Sequence, residues 1–201
     1  MKPYWTSHDG RHVLYHGDCL AVMPHLPAHY FHAVLSDPPY GLNFMGKAWD
    51  HGVPGVPFWL AALRVAKPGA YLLAFGGTRT YHRLACAIED AGWEYRDMLG
   101  WLYGSGFPKS LDASKAIDKA AGAEREVVGH DPARFRRDSD TNNTYAAHCG
   151  QSGNITAPAT PAARQWDGWG TALKPAIEPI ALARAPMPGT VAANLLEHGT
   201  G

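Results

Sequence analysis

The chain has 201 residues, 46% of them hydrophobic and 18% charged, with 18 basic side chains balancing 18 acidic ones. Those proportions are those of an ordinary soluble globular domain with a well-buried core. No apolar stretch approaches the roughly 20 residues that span a bilayer, and the start Met1-Lys2-Pro3-Tyr4-Trp5 lacks the apolar segment of a signal peptide, so the expected location is cytoplasmic. Cys19, Cys86 and Cys149 are odd in number and widely spaced, which fits reduced thiols better than a disulfide framework and gives no metal-ligand spacing.

In chain order, residues 13–15 read as a short strand and residues 20–26 as a brief helix or turn that Pro24 and Pro27 truncate. Residues 33–36 read as a central, buried strand. A loop punctuated by glycine and proline follows over 41–57, then a helix over 58–66 closed by Lys67-Pro68-Gly69. Residues 70–75 are apolar on both faces and predict a strand. Leu84, Ala87, Ile88 and Ala91 set helical spacing over 80–91, which stops at Gly92, and 93–102 reads as another strand. A short helix over 111–121 ends at Gly122. Residues 129–165 are rich in Asn, Thr, Gly, Pro and Arg, lack periodicity and read as a long loop. Pattern returns as a strand over 176–184 that rejoins the sheet and a last helix over 191–197. The alternation implies an α/β fold with a parallel sheet, helices on both faces and reactive residues at the carboxyl ends of strands. It divides the chain into a first core part (1–128), an irregular insert (129–165) and a continued core (166–201).

The most informative feature is Ser36-Asp37-Pro38-Pro39-Tyr40, directly after the apolar run Ala33-Val34-Leu35. Two prolines fix φ near −65°, remove two backbone donors and push Asp37 out of the helical region, so the chain leaves its strand in a stiff extended turn. A carboxylate, an unpaired proline carbonyl and an aromatic face then lie side by side. Such a site accepts hydrogen bonds from a planar amino group while stacking on its ring, and adenine and cytosine carry such groups.

Asp-Pro-Pro-Tyr at a strand end resembles the catalytic motif of the S-adenosyl-L-methionine-dependent DNA amino-methyltransferases. The resemblance takes in His12-Val13-Leu14-Tyr15-His16-Gly17-Asp18-Cys19-Leu20 upstream. Downstream it takes in Lys67-Pro68-Gly69, Phe75-Gly76-Gly77 and Gly168-Trp169-Gly170-Thr171-Ala172-Leu173-Lys174-Pro175. It covers most of residues 11–121 and 166–201 and is nearest to the phage and prophage site-specific branch, which also suggests a restriction-modification setting.

The resemblance implies a Rossmann-like methyltransferase sheet and the catalytic set Asp37, Pro38, Pro39 and Tyr40. It further implies S-adenosyl-L-methionine as cofactor, held by Asp18, Cys19, Asp37 and Lys174, and double-stranded DNA as partner. Asp18 would accept from the cofactor's adenine amino group, and Asp before Pro-Pro-Tyr leans toward adenine over cytosine as target. A neutral chain needs a local basic patch for phosphate; Arg134, Arg136 and Arg137, with Arg125 and Arg164, are the candidates. The acidic Glu124, Glu126, Asp131, Asp138 and Asp140 in the same stretch make a mixed solvated loop an equal reading. Phe44 and Trp49 would help hold a base or pack inside, and His16, His51 and His148 carry only single-residue signals.

The order of motifs resembles the permuted group, in which the cofactor's glycine-rich turn comes last. No Gly-x-Gly pattern precedes Asp37, and Phe75-Gly76-Gly77-Thr78-Arg79 is the one substitute. The expectation is therefore an N-terminal portion of a longer enzyme, incomplete at the C-terminus. Two alternatives stay open, a remnant that only binds nucleic acid and a methyltransferase acting on RNA or a protein amide; a third, a nucleotide-binding oxidoreductase, is weakened by the missing Gly-x-Gly-x-x-Gly and paired acidic residue.

Overall fold

A computed structural model describes residues 1–43, 48–104, 110–131, 153–173 and 176–201. The strands are β1 (Trp5–Thr6), β2 (Val13–Leu14), β3 (Phe31–Ser36), β4 (Ala66–Phe75), β5 (Glu94–Leu102), β6 (Val127–His130), β7 (Asn154–Thr156) and β8 (Ile177–Arg184). The helices are α1 (Cys19–Val22), α2 (Val56–Val65), α3 (Tyr81–Asp90), α4 (Ala113–Ala120), α5 (Pro161–Gln165) and α6 (Val191–His198). The chain forms an α/β fold in two compact units, one of Met1–Gly104 with Ala176–Gly201, the other of Ser105–Pro175. Among the described residues no helix is long and apolar enough to cross a membrane.

The first unit is built on a four-stranded sheet in the order β3-β4-β8-β5. β3 pairs parallel to β4, and β8 runs antiparallel between β4 and β5. β3, β4 and β5 thus share one direction, as the alternation of elements implied, while the strand over 176–184 corrects the all-parallel expectation by returning the opposite way. Period-two alternation turns Leu72 and Ala74 of β4 and Ala181 and Ala183 of β8 to one face, where they are buried with Trp59 and Ala62 of α2 and Leu84 and Ile88 of α3. Full burial of a side chain such as Leu72 contributes about 1.5–3 kcal/mol. On the other face Leu73 and Phe75 are only half-buried, and Phe75 meets Trp101 edge-on.

Two local readings are corrected. The strand after residue 30 starts at Phe31 and is neither central nor buried: among the described residues β3 pairs only with β4, and Leu35 is 74% exposed. Lys67-Pro68-Gly69 does not follow the helix as a turn but opens β4. The helix ends at Ala66 in extended geometry, and the proline holds Lys67 extended as well. The Gly69 amide then donates to the Ala185 carbonyl. Gly69 sits at φ +75°, and a Cβ there would lie 2.5 Å from Asn194 Nδ2. Asn194 of α6 itself donates to the Pro68 carbonyl at 2.9 Å, which ties the last helix to the start of β4. α3 follows the expected pattern, ending before Gly92 at φ +93°.

The second unit contains α4, the antiparallel pair β6–β7 and α5. The segment read as a loop begins within β6, and its last part is ordered into β7 and α5, the latter capped by the Thr160 hydroxyl accepting from Ala163 N with Pro161 at the first turn. Its organising group is Asp118, whose side chain is fully buried. Asp118 Oδ1 accepts from Thr160 N at 3.0 Å and Thr160 Oγ1 at 2.8 Å, and Oδ2 from Ala159 N and Arg125 Nη1, both at 3.0 Å. Arg125 also donates to Ser114 Oγ, Thr156 Oγ1 and the Thr156 carbonyl.

Burial alone would raise the Asp118 carboxyl. The Ala159 and Thr160 donors and the Arg125 charge outweigh it and hold the group below its ordinary value of 3.8. A carboxyl depressed on folding contributes stability above its unfolded value and loses it as pH falls through the folded one. Wild type should therefore hold this unit together at pH 5 to 7 and loosen progressively as pH falls below about 4. Asp118→Asn should flatten that acid dependence and lower the thermal midpoint at neutral pH, as followed by circular dichroism; an unchanged acid profile would contradict the role given to Asp118.

Candidate active site

The parallel register Ser36↔Ala74 brings the carboxyl ends of β3 and β4 to the same edge of the sheet. The antiparallel pairing Phe75↔Ile180 places the start of β8 at that edge too. Three chain segments therefore meet there: the turn after β3, the Gly76-Gly77 turn after β4, and Glu178-Pro179 of β8. Asp37 is exposed, Pro38 is buried and Tyr40 is half-buried.

The turn is braced from every side. Pro38 and Pro39 have no amide to satisfy. The Tyr40 carbonyl accepts from Thr80 Oγ1 at 2.5 Å. Asp50, itself buried, accepts from Gly41 N at 2.7 Å and Leu42 N at 3.2 Å, and its carbonyl takes Asn43 N at 2.8 Å. Tyr40 packs against Gly77, where a Cβ would stand at an ordinary contact distance of 3.4 Å from Tyr40 Cβ and Cδ2. At Gly76 a Cβ would meet Leu84 Cδ2 at 2.8 Å, and Gly76 N donates to the Pro179 carbonyl at 2.9 Å. Gly76 thus sits in a tight packing turn, with the Leu84 side chain against it.

The Tyr40 hydroxyl donates to Glu178 Oε2 at 3.4 Å. Burial first, then the charges of Glu178 and Asp37, push the phenol well above its ordinary range, so at neutral pH it is a protonated donor. Burial and the Glu178 charge push Tyr103 in the same direction.

Gly41 lies at φ +66°, and a Cβ there would fall 2.9 Å from both the Gly52 carbonyl carbon and Val53 N, which are backbone atoms with little room to yield. Gly41→Ala should cost about 1–3 kcal/mol, read from urea unfolding. An unchanged midpoint would mean that the turn is not held as described.

Asp18 is exposed and caps α1, its Oδ1 accepting from Leu20 N at 2.7 Å. Cys19 begins that helix, its thiol pushed up by burial and by Asp18. Lys174, Arg134, Arg136, Arg137, Phe44, His148 and Cys149 lie outside the described residues. Arg125 is corrected as a phosphate candidate, because its guanidinium is committed to Asp118, Ser114 and Thr156. Arg164 is exposed. Trp49 and His51 are exposed on the loop after the turn, and His16 meets the Tyr4 ring edge-on. Among the described residues no group of three or more His, Cys, Asp and Glu is placed to hold a metal ion.

Asp50, Thr80 and Glu178 are the site residues that sequence reasoning missed. For Glu178 a signal existed, since it is the one acidic residue in the strand expected over 176–184. Asp50 and Thr80 had none: each acts on backbone groups of the turn that only the folded chain brings within reach.

No protein-family model matches the chain. The chain is 23% identical over 236 residues to the type II methyltransferase M.HindIII of Haemophilus influenzae, an alignment covering 94% of this chain and 63% of that protein. The chain thus spans under two thirds of the length of that relative. Among solved structures it is similar to TTHA0409 of Thermus thermophilus, put forward as a DNA modification methylase, with a TM-score of 0.42 and 13% identity over 90% of this chain and 56% of that one. It is also similar to the M1.HpyAVI–SAM complex, with a TM-score of 0.41 and 12% identity over 86% of this chain and 52% of that one.

Proposed function

We propose that this chain is part of an S-adenosyl-L-methionine-dependent DNA methyltransferase that methylates the exocyclic amine of adenine or cytosine in duplex DNA. The observation that carries the reading is an exposed Asp37 carboxylate at the end of β3, beside a Tyr40 ring, on a turn braced by Asp50, Thr80 and Gly77. The similarity to a type II methyltransferase over 94% of the chain supports it.

The donor set at α1 fits the cofactor. Asp18 Oδ2 makes no hydrogen bond within the described residues and suits an amino group such as that of adenine. Asp18 and Cys19 would hold S-adenosyl-L-methionine, which when bound supplies an activated methyl group; Lys174, also implied by the resemblance, lies outside the described residues.

An exocyclic amine is out of reach while its base is stacked and paired, so the base rotates out of the duplex onto the sheet edge. Tyr40 stacks on the ring. The Asp37 carboxylate and the Pro38 carbonyl each accept one amine hydrogen, which turns the nitrogen lone pair out of the ring plane toward an electrophilic carbon. The carboxylate also stabilises positive charge growing on that nitrogen. Phosphate contacts are assigned to Arg134, Arg136 and Arg137.

The test is transfer of tritiated methyl from S-adenosyl-L-methionine by the full-length protein, offered duplex DNA, RNA and protein side by side. Label is expected in DNA. Label confined to RNA or protein would overturn the substrate class, and no label in any acceptor would leave only nucleic-acid binding.

A further inference from the structure

Thr80 stands at the N-cap of α3, a position where a threonine hydroxyl ordinarily accepts from an amide of the first turn. Here it makes no such bond. The start of α3 is served by backbone instead: the Gly77 carbonyl accepts from Thr80 N at 3.1 Å and Tyr81 N at 2.8 Å, and the Thr80 carbonyl from Arg83 N at 2.9 Å. The hydroxyl has one proton. It goes across the sheet edge to the Tyr40 carbonyl at 2.5 Å rather than to the Gly77 carbonyl of its own turn at 3.4 Å. The same peptide unit is gripped at its other end, where Gly41 N donates to Asp50 Oδ1 at 2.7 Å. Tyr40 itself packs against Gly77. One turn, residues 77–80, therefore touches Tyr40 both at its side chain and at its carbonyl.

We propose that Thr80 is a positioning residue: its hydroxyl, not used by the helix, locks the peptide plane between Tyr40 and Gly41 and so fixes the direction in which the Tyr40 ring meets the substrate base. The inference rests on the methyltransferase reading above and deepens it. A peptide plane next to a glycine rotates at little steric cost, and Gly41 lies at φ +66°. Two side chains from separate segments, Thr80 on the carbonyl and Asp50 on the amide, remove that freedom. Rotation of this plane turns the Tyr40 Cα and its ring while β3 and α3 stay formed, so losing the clamp misdirects the base and leaves the fold in place.

The decisive experiment compares Thr80→Ser, Thr80→Asp and Thr80→Val in full-length protein. Serine keeps a hydroxyl donor. Aspartate is a good N-cap that suits the positive end of a helix but when ionised cannot donate, and valine keeps the shape with neither property. Methyl transfer to duplex DNA should fall about tenfold in kcat/KM in both Thr80→Asp and Thr80→Val, the scale of one hydrogen bond, and Thr80→Ser should keep most of it. Recovery by aspartate would show that residue 80 acts through the helix and would overturn the proposal, as would a serine variant no better than the valine one. A second readout needs no turnover. With 13C at tyrosine carbonyls and 15N at glycine amides, the Tyr40–Gly41 and Tyr103–Gly104 peptides of this sequence carry both labels, and the signal lost in Tyr40→Phe is that of Tyr40. Its carbonyl resonance should move upfield in Thr80→Val and Thr80→Asp and hold its place in Thr80→Ser; an unmoved resonance in Thr80→Val would overturn the clamp. Absence of transfer by the parent protein would overturn the methyltransferase reading instead, while the resonance still decides whether Thr80 holds this peptide.

Discussion

Full-length protein carrying Asp37→Ala should transfer methyl groups about 10²–10³-fold more slowly than the parent, while keeping its unfolding midpoint and its binding of S-adenosyl-L-methionine. The separation follows from where Asp37 sits. Its side chain is exposed, and the turn that carries it is held by Asp50, Thr80 and two prolines rather than by Asp37. Removing an exposed carboxylate that is not one of these supports changes stability by only about half a kcal/mol. What disappears is an acceptor aimed at the reacting amine, whose effect is felt in the transition state. Retained transfer would remove Asp37 from the mechanism, and a lowered unfolding midpoint would show that the turn leans on it.

Asp50→Ala should have the opposite signature, a loss of about 2–3 kcal/mol in urea unfolding together with reduced transfer. Its carboxylate accepts from two consecutive amides, Gly41 and Leu42, and is 3% exposed. Alanine leaves both amides without that partner just where the proline pair has already removed backbone donors. The turn then loses its far support and Tyr40 its fixed direction. Asp50→Asn, which keeps one acceptor oxygen, should fall between the two. Equal unfolding midpoints for parent and alanine variant would contradict the bracing described here.

What was legible in the sequence is what local chemistry decides. A proline pair after an apolar strand constrains its own backbone, so the stiff turn from Asp37 to Tyr40 could be read directly. The spacing of Leu84, Ala87 and Ile88 with a glycine stop at Gly92 identified α3, and Gly122 marked the end of α4 in the same way. Non-local pairings stayed out of reach. That β8 enters antiparallel between β4 and β5, that β3 pairs on one side only, and that Pro68 and Gly69 join a strand through Ala185 are all decided by contacts between distant segments. Glu178 lies 138 residues from Tyr40, and no periodicity links the two. The short helix α5 was overlooked for a different reason: five residues are too few for a pattern, although Thr160-Pro161 is a capped start.

The most direct measurement is the chemical identity of the methylated base. Duplex DNA treated with full-length protein and S-adenosyl-L-methionine, digested to nucleosides and analysed by mass spectrometry, should contain the methyl group on an exocyclic nitrogen, as N6-methyladenine or N4-methylcytosine, and should lose it in Asp37→Ala. A methyl group on cytosine carbon 5, or the same product from the Asp37→Ala variant, would contradict the claim that this turn aims an amino nitrogen at the transferred carbon.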